Sequence, residues 1–230
     1  MKTVAIIVAA GKGERAGKKL PKQFLNLGGK PMLALTLERF EKARLISEIV
    51  VVVPESYLGF CSKEIVDVYR FAKVRKIVSG GKHRQDSVFS GLKSIDANAD
   101  VVVIHDGVRP FVRSQEIDRI VRICQKEGPV IFALPVKETI KRVEEGKVMT
   151  TLDRSRIWSV QTPQVFPYKT ILNTYKKANK DKFVATDDSL LVERMGIEVK
   201  VIEGDEDNIK ITTTEDLKMA EYLINREFSG

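Results

Sequence analysis

The feature that most constrains the fold of this chain is a regular alternation of apolar runs with amphipathic segments. Four of the runs, at residues 4–10, 48–54, 100–106 and 129–136, have the length and the valine and isoleucine content of buried strands. Strands of a parallel sheet are covered by helices on both faces, and they therefore appear as continuous apolar runs. The alternation predicts an α/β fold with a doubly wound, mostly parallel sheet.

Amphipathic patterns and capping signals between these runs predict the helices. The predicted helices cover residues 31–44, 62–71, 86–94, 114–127, 168–177, 187–195 and 214–226. Ser114 is expected to cap the fourth of them, since a serine side chain can accept a hydrogen bond from the first turn of a helix. Further strands or extended segments are predicted at residues 74–81, 158–166, 198–203 and 208–212.

The alternation is interrupted between residues 137 and 156 by a different pattern. Apolar and polar residues alternate on both sides of Glu145-Gly146, which is typical of two antiparallel strands joined by a tight turn. A two-stranded ribbon is at best marginally stable alone in water. We therefore expect an arm over residues 137–157 that packs on a second copy of the chain and makes the protein a homodimer.

Charge and cysteine content argue against several classes of function. The chain carries 39 Lys and Arg against 31 Asp and Glu, a net charge of +8, but the two signs are interspersed and only 7% of residues are aromatic. Nucleic-acid binding is not expected, since it favours a basic face with aromatic stacking residues. Cys61 and Cys124 fit neither a metal motif nor a disulfide framework. With no membrane or export segment evident at the N-terminus, we expect a cytoplasmic protein without membrane association.

The first apolar run is followed by a loop that suits a polyanion. Gly11 and Gly13 allow backbone N–H groups to approach phosphates closely. Lys12, Arg15 and Lys22 would neutralise the phosphate charge. The loop lacks the third glycine of the dinucleotide-binding motif and the Gly-Lys-Ser/Thr ending of the P-loop. The spacing therefore indicates a phosphate site and leaves an ordinary tight turn as the alternative.

Polar residues also follow the third, fourth and fifth strands of the predicted sheet. In an open parallel sheet, ligands bind beyond the carboxyl ends of the strands, so these residues converge at one edge. They are Gly80, Gly81, Lys82, Arg84 and Ser87, then Asp106 and Arg109, then Lys137, Thr139 and Lys141. His83 and His105 have no third metal ligand or serine nucleophile nearby in the sequence. Neither a metal–histidine site nor covalent catalysis is therefore expected.

Eight sequence motifs occur in an order and spacing that resemble one enzyme family. They are AAGKGER, PKQF, GGKHRQDSV, HDGVRPF, PVKETIKRV, LDRSRIWSVQTPQVF, ATDDS and DNIKIT. Along essentially its whole length the chain thereby resembles the 2-C-methyl-D-erythritol 4-phosphate cytidylyltransferases. The resemblance implies a single Rossmann-like nucleotidyltransferase domain over residues 1–230, with the 137–157 arm as a subdomain used for dimerisation.

The resemblance also implies a reaction and its catalytic residues. Enzymes of this family join CTP and 2-C-methyl-D-erythritol 4-phosphate, release pyrophosphate and serve non-mevalonate isoprenoid precursor synthesis. The attacking phosphate is already ionised at neutral pH, so charge stabilisation and positioning suffice and no general base is required. The family's catalytic cations match Arg15, Lys22, Arg154 and Lys210. In the family the arm reaches the neighbouring subunit's site, which implies that Arg154 acts across the dimer.

The remaining matched positions imply binding roles. Nucleotide-binding positions of the family match Ala9, Ala10, Gly11, Gly13, Gly81, Lys82 and Ser87. Many relatives have an acidic residue where Lys82 stands. Positions that hold the second substrate match Asp106, Arg109, Thr139, Thr162 and Thr186. The implied cofactor is Mg²⁺, which bridges triphosphate oxygens with few protein ligands, and Asp106 would contact either this ion or a substrate hydroxyl.

Two alternatives remain at this point. A ribitol 5-phosphate cytidylyltransferase shares several of these motifs, but the segments KETIKRV and ATDDS resemble the methylerythritol enzymes more closely. A non-catalytic nucleotide-binding module is the other alternative, since a fold by itself does not determine function. The presence together of Arg15, Lys22, Asp106, Arg154 and Lys210 favours an enzyme.

Overall fold

The computed structural model describes residues 1–11 and 20–228, and its centre is a sheet of seven strands. The strands are β1 (Thr3–Val8), β2 (Asn26–Leu27), β3 (Lys30–Pro31), β4 (Glu48–Val53), β5 (Val74–Ser79), β6 (Val101–Asp106), β7 (Val130–Pro135), β8 (Lys141–Glu144), β9 (Lys147–Thr151), β10 (Trp158–Pro167) and β11 (Lys200–Glu203). The order in the central sheet is β11–β7–β10–β6–β1–β4–β5, and β2–β3 and β8–β9 form separate two-stranded sheets.

Strand direction brings the carboxyl ends of most strands to one edge of the central sheet. β10 runs antiparallel to its neighbours β6 and β7, whereas the other neighbouring pairs are parallel. The register pairs Val8 of β1 with Asp106 of β6, so the ends of these two strands lie side by side. The predicted doubly wound, mostly parallel sheet is confirmed. The extended segment predicted at residues 158–166 is the antiparallel strand β10.

Helices cover both faces of this sheet. They are α1 (Met32–Lys42), α2 (Leu58–Phe60), which continues as a π-helical segment Cys61–Asp67, α3 (Arg84–Ser94), α4 (Ser114–Glu127), α5 (Tyr168–Lys180), α6 (Asp188–Glu193) and α7 (Thr214–Phe228). Within the described ranges, none of these helices is long and apolar enough to cross a membrane.

Side chains of the central strands alternate between two cores on opposite faces. Along β1, Ala5 and Ile7 belong to one core with residues of α1 and α4. Val4 and Ile6 belong to the other core with residues of α3 and α5. All four side chains are buried. This alternation explains the continuous apolar run, because a strand covered on both faces needs an apolar residue at each position.

The predicted hairpin is present as the antiparallel pair β8 and β9. Its turn residues Glu145 and Gly146 both have positive φ, of 48° and 76°, which suits a glycine at the second position. Every residue of both strands is exposed, including Val143, Val148 and Met149. The predicted antiparallel pair is therefore present, and its role as an arm that packs on a second chain stays a prediction.

Two predictions of local structure are wrong. Residues 208–212 form no strand, and the Ile211 N–H instead donates to the Val108 carbonyl at 3.0 Å. Ser114 is the first residue of α4 rather than its cap, and its hydroxyl donates to the Arg39 carbonyl at 2.7 Å. In both cases the observed hydrogen bond joins the residue to a distant part of the chain, which the local sequence pattern does not reveal.

Candidate active site

Two cavities open at the carboxyl edge of the sheet and share part of their walls. The smaller one, of about 230 Å³, lies beside the loop that follows β1 and is called here the glycine-loop cavity. The larger one, of about 470 Å³, lies beside the start of α6 and is called the α6 cavity. Arg84, Asp106 and Lys210 line both cavities. A molecule in one cavity would therefore meet a molecule in the other at these three charged side chains.

Hydrogen bonds and close packing shape the glycine-loop cavity. The buried Gln23 side chain donates from Nε2 to the carbonyls of Ala9 at 2.6 Å and Gly11 at 3.0 Å. The PKQF segment thus holds the chain where it leaves β1. A Cβ atom on Gly80 would lie only 2.3 Å from the Cβ of Ala10. Glycine is therefore required where the ends of β1 and β5 approach each other.

Ser87 and Asp86 hold the loop between β5 and α3 in one conformation. Ser87 Oγ accepts a hydrogen bond from the Gly81 N–H at 3.2 Å and donates to the His83 carbonyl at 3.1 Å. Asp86 Oδ2 accepts from the His83 N–H at 2.9 Å and completes a capping box at the start of α3. This loop presents the backbone of Gly81 to the glycine-loop cavity.

The Asp106 carboxylate at the end of β6 lies at the centre of three cations. Arg84 Nε is 3.0 Å from Oδ1, Lys210 Nζ is 2.8 Å from Oδ2, and Arg109 Nε is 3.7 Å from Oδ2. Burial by itself would raise the pKa of Asp106, but the charges of Arg84, Lys210 and Arg109 outweigh it and hold that pKa well below its usual range. Asp106 is therefore an anion at neutral pH.

Arg84 connects Asp106 to a fully buried carboxylate on α6. Its Nη1 and Nη2 atoms lie 3.1 and 2.9 Å from the two oxygens of Asp188. Asp188 also accepts a short hydrogen bond from the Tyr175 hydroxyl. Burial would lower the pKa of Arg84, but the charges of Asp188 and Asp106 raise it well above its usual value. The guanidinium thus ties the first residue of α3 to the end of β6 and to the first residue of α6.

A chain of hydrogen bonds through His105 and Thr162 holds the backbone N–H of Asp106. The His105 ring is fully buried, with its centroid 5.0 Å from that of Phe40. Its Nε2 lies 3.0 Å from the Arg109 carbonyl, which can only accept, so the geometry assigns the proton to Nε2. Nδ1 then accepts from the Thr162 hydroxyl at 3.1 Å, and Thr162 Oγ1 accepts from the Asp106 N–H at 3.1 Å. Burial lowers the pKa of His105 to about 4, so the ring is neutral at pH 7.

Gln164 and Asp187 fix the start of α6, which borders the α6 cavity. Gln164 Oε1 accepts from the N–H groups of Asp188 and Ser189 at 3.1 and 3.0 Å, and its Nε2 donates to Asp187 Oδ2 at 2.8 Å. Asp187 Oδ1 accepts from the Leu190 N–H at 3.1 Å and caps the helix. The wall of the α6 cavity is therefore tied to β10 by hydrogen bonds.

Most of the predicted site residues meet at these two cavities. The glycine-loop cavity is lined by Ala9, Ala10, Gly11, Lys22, Gly81, Lys82 and Ser87, the α6 cavity by Arg109, Thr162 and Thr186, and both by Asp106 and Lys210. Thr139 and Arg154 are exposed and line neither cavity of the described chain. Gly13 and Arg15 lie outside the described residues.

The Arg84–Asp188 pair and the burial of Gln164 were not predicted from the sequence. Arg84 and Asp188 are 104 positions apart, so no local pattern connects them. The motifs GGKHRQDSV and ATDDS contain the two residues, but a motif does not reveal which of its charged side chains points inward. Gln164 follows a proline at a strand, and a polar residue there usually indicates an exposed position. The two motifs therefore indicated that these residues belong to the site. Which side chains pair with each other became visible only in the folded structure.

Comparisons with known proteins agree with this geometry. Residues 3–226 match the family model described as IspD, 2-C-methyl-D-erythritol 4-phosphate cytidylyltransferase. Curated relatives of that name from Geotalea uraniireducens and Geobacter metallireducens are 47% and 43% identical, over 97% and 99% of each chain. The crystal structure of 4-diphosphocytidyl-2C-methyl-D-erythritol synthase from Anaerococcus prevotii has a TM-score of 0.87 at 34% identity, covering 97% of this chain and 96% of that one. The chain therefore belongs to the 2-C-methyl-D-erythritol 4-phosphate cytidylyltransferase family, nucleotidyltransferases of the non-mevalonate isoprenoid pathway.

Proposed function

We propose that this chain transfers the cytidylyl group of CTP to the phosphate of 2-C-methyl-D-erythritol 4-phosphate, with CTP in the glycine-loop cavity and the polyol phosphate in the α6 cavity. The main support is that the two cavities share Arg84, Asp106 and Lys210. Transfer between two bound substrates requires adjacent sites that meet at the reacting atoms. A common wall of charged side chains fits a reaction between two phosphates.

The glycine-loop cavity suits a nucleoside triphosphate for steric and electrostatic reasons. Ala9, Ala10 and Gly11 line it with backbone and small side chains, which lets phosphates lie close to the chain. Lys22 lines the same cavity and is assigned to the α-phosphate. Gly81 and Ser87 are assigned to the cytosine and the ribose.

The chemical step is proposed to depend on charge stabilisation rather than on proton transfer. A phosphate monoester is ionised at pH 7, so one of its oxygens can attack the α-phosphorus of CTP directly. The bond from that phosphorus to the bridging oxygen breaks, and pyrophosphate leaves. Lys22 and Lys210 would stabilise the charge that develops, as would Arg15 at its matched family position. Lys210 is close enough to Asp106 and exposed enough to orient the attacking phosphate.

Mg²⁺ is the proposed cofactor, and Asp106 is the residue that would hold it. In nucleotide sites Mg²⁺ is bound by phosphate oxygens, waters and one or two carboxylates rather than by a cage of protein ligands. Asp106 fits this role, because it is an anion that lines both cavities. Residues 1–11 and 20–228 contain no group of three or more acidic, histidine or cysteine side chains that could hold a metal by themselves. When bound, the ion would offset part of the triphosphate charge.

The active unit is proposed to be a homodimer formed through the 137–157 arm. Arg154 and Thr139 are exposed residues of the arm, and Arg154 Nη1 donates to the Lys137 carbonyl at 2.8 Å. Neither Arg154 nor Thr139 lines the glycine-loop cavity or the α6 cavity of its own described chain, so we assign their matched roles to the cavities of a second copy. The exposed apolar side chains of the arm would supply the contact surface.

The domain organisation and location follow from simpler features. We assign residues 1–230 to one nucleotidyltransferase domain with the arm as a subdomain, supported by the single central sheet. Cytoplasmic location is supported by two buried free cysteines, Cys61 and Cys124, since secreted chains tend to use cysteines in disulfides.

The test is pyrophosphate release by the purified chain with CTP and Mg²⁺, with 2-C-methyl-D-erythritol 4-phosphate and ribitol 5-phosphate supplied in parallel. Release with the methylerythritol substrate alone is the expected result. Release with ribitol 5-phosphate alone would reassign the α6 cavity, and silence with both would overturn the proposal. Loss of release in a chelator, with recovery when Mg²⁺ is restored, tests the cofactor separately.

A further inference from the structure

We infer that Arg84 is a positioning residue that holds the two substrate cavities in register by pairing with Asp106 and Asp188 at the same time. The inference rests on the proposed assignment of CTP to the glycine-loop cavity and of the polyol phosphate to the α6 cavity. It concerns how these cavities are held together, because Arg84 reaches Asp106 through one nitrogen and Asp188 through the other two.

The contacts of Arg84 fix both the position and the rotation of its guanidinium. Nε donates to Asp106 Oδ1 at 3.0 Å, and Nη1 and Nη2 form a bidentate pair with Asp188 at 3.1 and 2.9 Å. A planar fork held on two edges cannot turn without breaking at least one of these contacts. The Asp106 carboxylate is thereby held at a set distance from α6.

The same side chain joins the backbone segments that border the two cavities. Arg84 is the first residue of α3 and directly follows the loop of Gly81, Lys82 and His83, which lines the glycine-loop cavity. Asp188 is the first residue of α6 and lies between Asp187 and Ser189, which line the α6 cavity. A single side chain therefore connects the segments that border the two cavities and sets their relative position.

The burial of Asp188 makes this arrangement sensitive to substitution. Asp188 is 0% exposed, and a buried carboxylate is costly unless it is paired and hydrogen-bonded. Arg84 supplies the charge, and the Tyr175 hydroxyl supplies a further hydrogen bond. Without the Asp188 charge, Arg84 has Asp106 as its remaining carboxylate partner in the described chain. The guanidinium would then be held by a carboxylate on one edge only, through Nε and Asp106 Oδ1.

Tyr175 provides a control for a role that is only structural. Tyr175→Phe removes a buried hydrogen bond from the same carboxylate, yet Tyr175 lines neither cavity. A loss of stability without a loss of positioning should therefore appear in this variant. Arg84→Lys provides the complementary change, because a lysine keeps the charge but its single ammonium cannot form the bidentate pair while contacting Asp106.

The experiment compares Asp188→Asn, Arg84→Lys and Tyr175→Phe in the full chain by steady-state pyrophosphate release and thermal unfolding. Asp188→Asn and Arg84→Lys are expected to lower kcat/KM for the polyol phosphate about 10- to 100-fold, because the reacting groups are misplaced. The KM for CTP is expected to stay within about threefold, since Gly81 and Ser87 keep their own hydrogen bond. Tyr175→Phe is expected to lower Tm while leaving kcat/KM within about twofold.

Two results would overturn the inference. Wild-type kcat/KM in Arg84→Lys would mean that charge alone suffices and that the forked geometry has no role. A Tyr175→Phe loss of kcat/KM equal to that of Asp188→Asn would reduce the pair to a stabilising contact. If Asp188→Asn does not fold, Arg84→Lys against Tyr175→Phe decides the question. Silence of the wild-type enzyme with both polyol phosphates would instead contradict the proposed function itself.

Discussion

The shared wall of the two cavities and the hairpin arm differ in how many contacts their side chains make within one chain. At the wall, the Asp106 carboxylate is buried among three cations that come from different parts of one chain. On the arm, Val143 and Val148 oppose each other across the two strands but remain 52% and 61% exposed. The wall is thus organised within one chain, whereas the arm leaves apolar surface uncovered.

This contrast separates what each region contributes. Buried charges are costly unless they are paired, so the wall must be assembled when the chain folds. A two-stranded ribbon gains little from its own contacts, so substitutions on the arm should change association more than folding. We therefore expect the wall to act within one chain and the arm to act between two chains.

The largest effect is expected at the centre of the wall. Asp106→Asn should lower kcat about 100-fold or more, because the anion that orders Arg84 and Lys210 and that would hold Mg²⁺ is lost. The same substitution at Asp96, an exposed carboxylate 2.8 Å from Lys76, should change kcat by less than about twofold. Comparable turnover in the two variants would mean that the wall is not part of the reacting site.

The next effect tests whether Arg154 acts across the dimer. Lys22→Ala and Arg154→Ala should each lower turnover by about 100-fold. In an equal mixture, half of the dimers are mixed and each of these has one intact site, so about a quarter of wild-type activity should return. Pyrophosphate release after subunit exchange measures this recovery.

A matched mixture supplies the control for subunit exchange. Lys22 and Lys210 line the same cavity of one chain, so mixing Lys22→Ala with Lys210→Ala should restore nothing. Lack of recovery in confirmed mixed dimers of Lys22→Ala and Arg154→Ala would place Arg154 in the site of its own chain.

A smaller effect is expected from charging the arm. The double change Val143→Asp and Val148→Asp places two like charges opposite each other on an exposed surface. It should shift most of the protein from dimer to monomer in light scattering, and turnover should fall about tenfold if about a tenth of the chains stay dimeric, with little change in Tm. Met219→Asp, at a residue of α7 that is 53% exposed, should leave the dimer intact. A fully active monomer would contradict the role given to the arm.

The fold was largely predictable because most of its elements leave local patterns. Each side of β1 meets a different apolar core, which accounts for its continuous apolar run, and Glu145-Gly146 marks the hairpin turn. The errors occur where contacts between distant parts of the chain determine the local structure. Ser114 bonds to Arg39, and Ile211 bonds to Val108, a residue more than a hundred positions away.

The candidate site divides in the same way. Lys22, Asp106 and Lys210 could be proposed from the family resemblance, and the fold brings them together. The partnership of Arg84 with Asp188 could not be proposed, since it depends on how α3 and α6 meet. The roles proposed for Thr139 and Arg154 involve a second chain, which no pattern within one chain can position.

The smallest predicted effect is a pH dependence of stability that arises from His105, the residue before Asp106 of the wall. Burial lowers the pKa of His105 from 6.5 to about 4. As the pH falls from about 6.5 toward 4, the unfolded chain binds a proton that the folded chain does not, so the free energy of unfolding decreases. From pH 7 to pH 5 this loss should be about 2 kcal/mol. Asp106 adds little in this range, because its usual pKa of 3.8 and its lowered pKa in the folded chain both lie below pH 5.

Urea unfolding of wild type and His105→Gln at pH 7 and pH 5 measures this difference. The variant loses hydrogen bonds to Arg109 and Thr162 and should be less stable at pH 7. The stability deficit of the variant relative to wild type should be about 2 kcal/mol smaller at pH 5. The variant has no histidine at position 105 that binds a proton when the chain unfolds. His83 is present in both proteins and cancels, and the arm at residues 137–157 contains no histidine. If wild type and variant lose the same stability between pH 7 and pH 5, the pH dependence does not arise from His105.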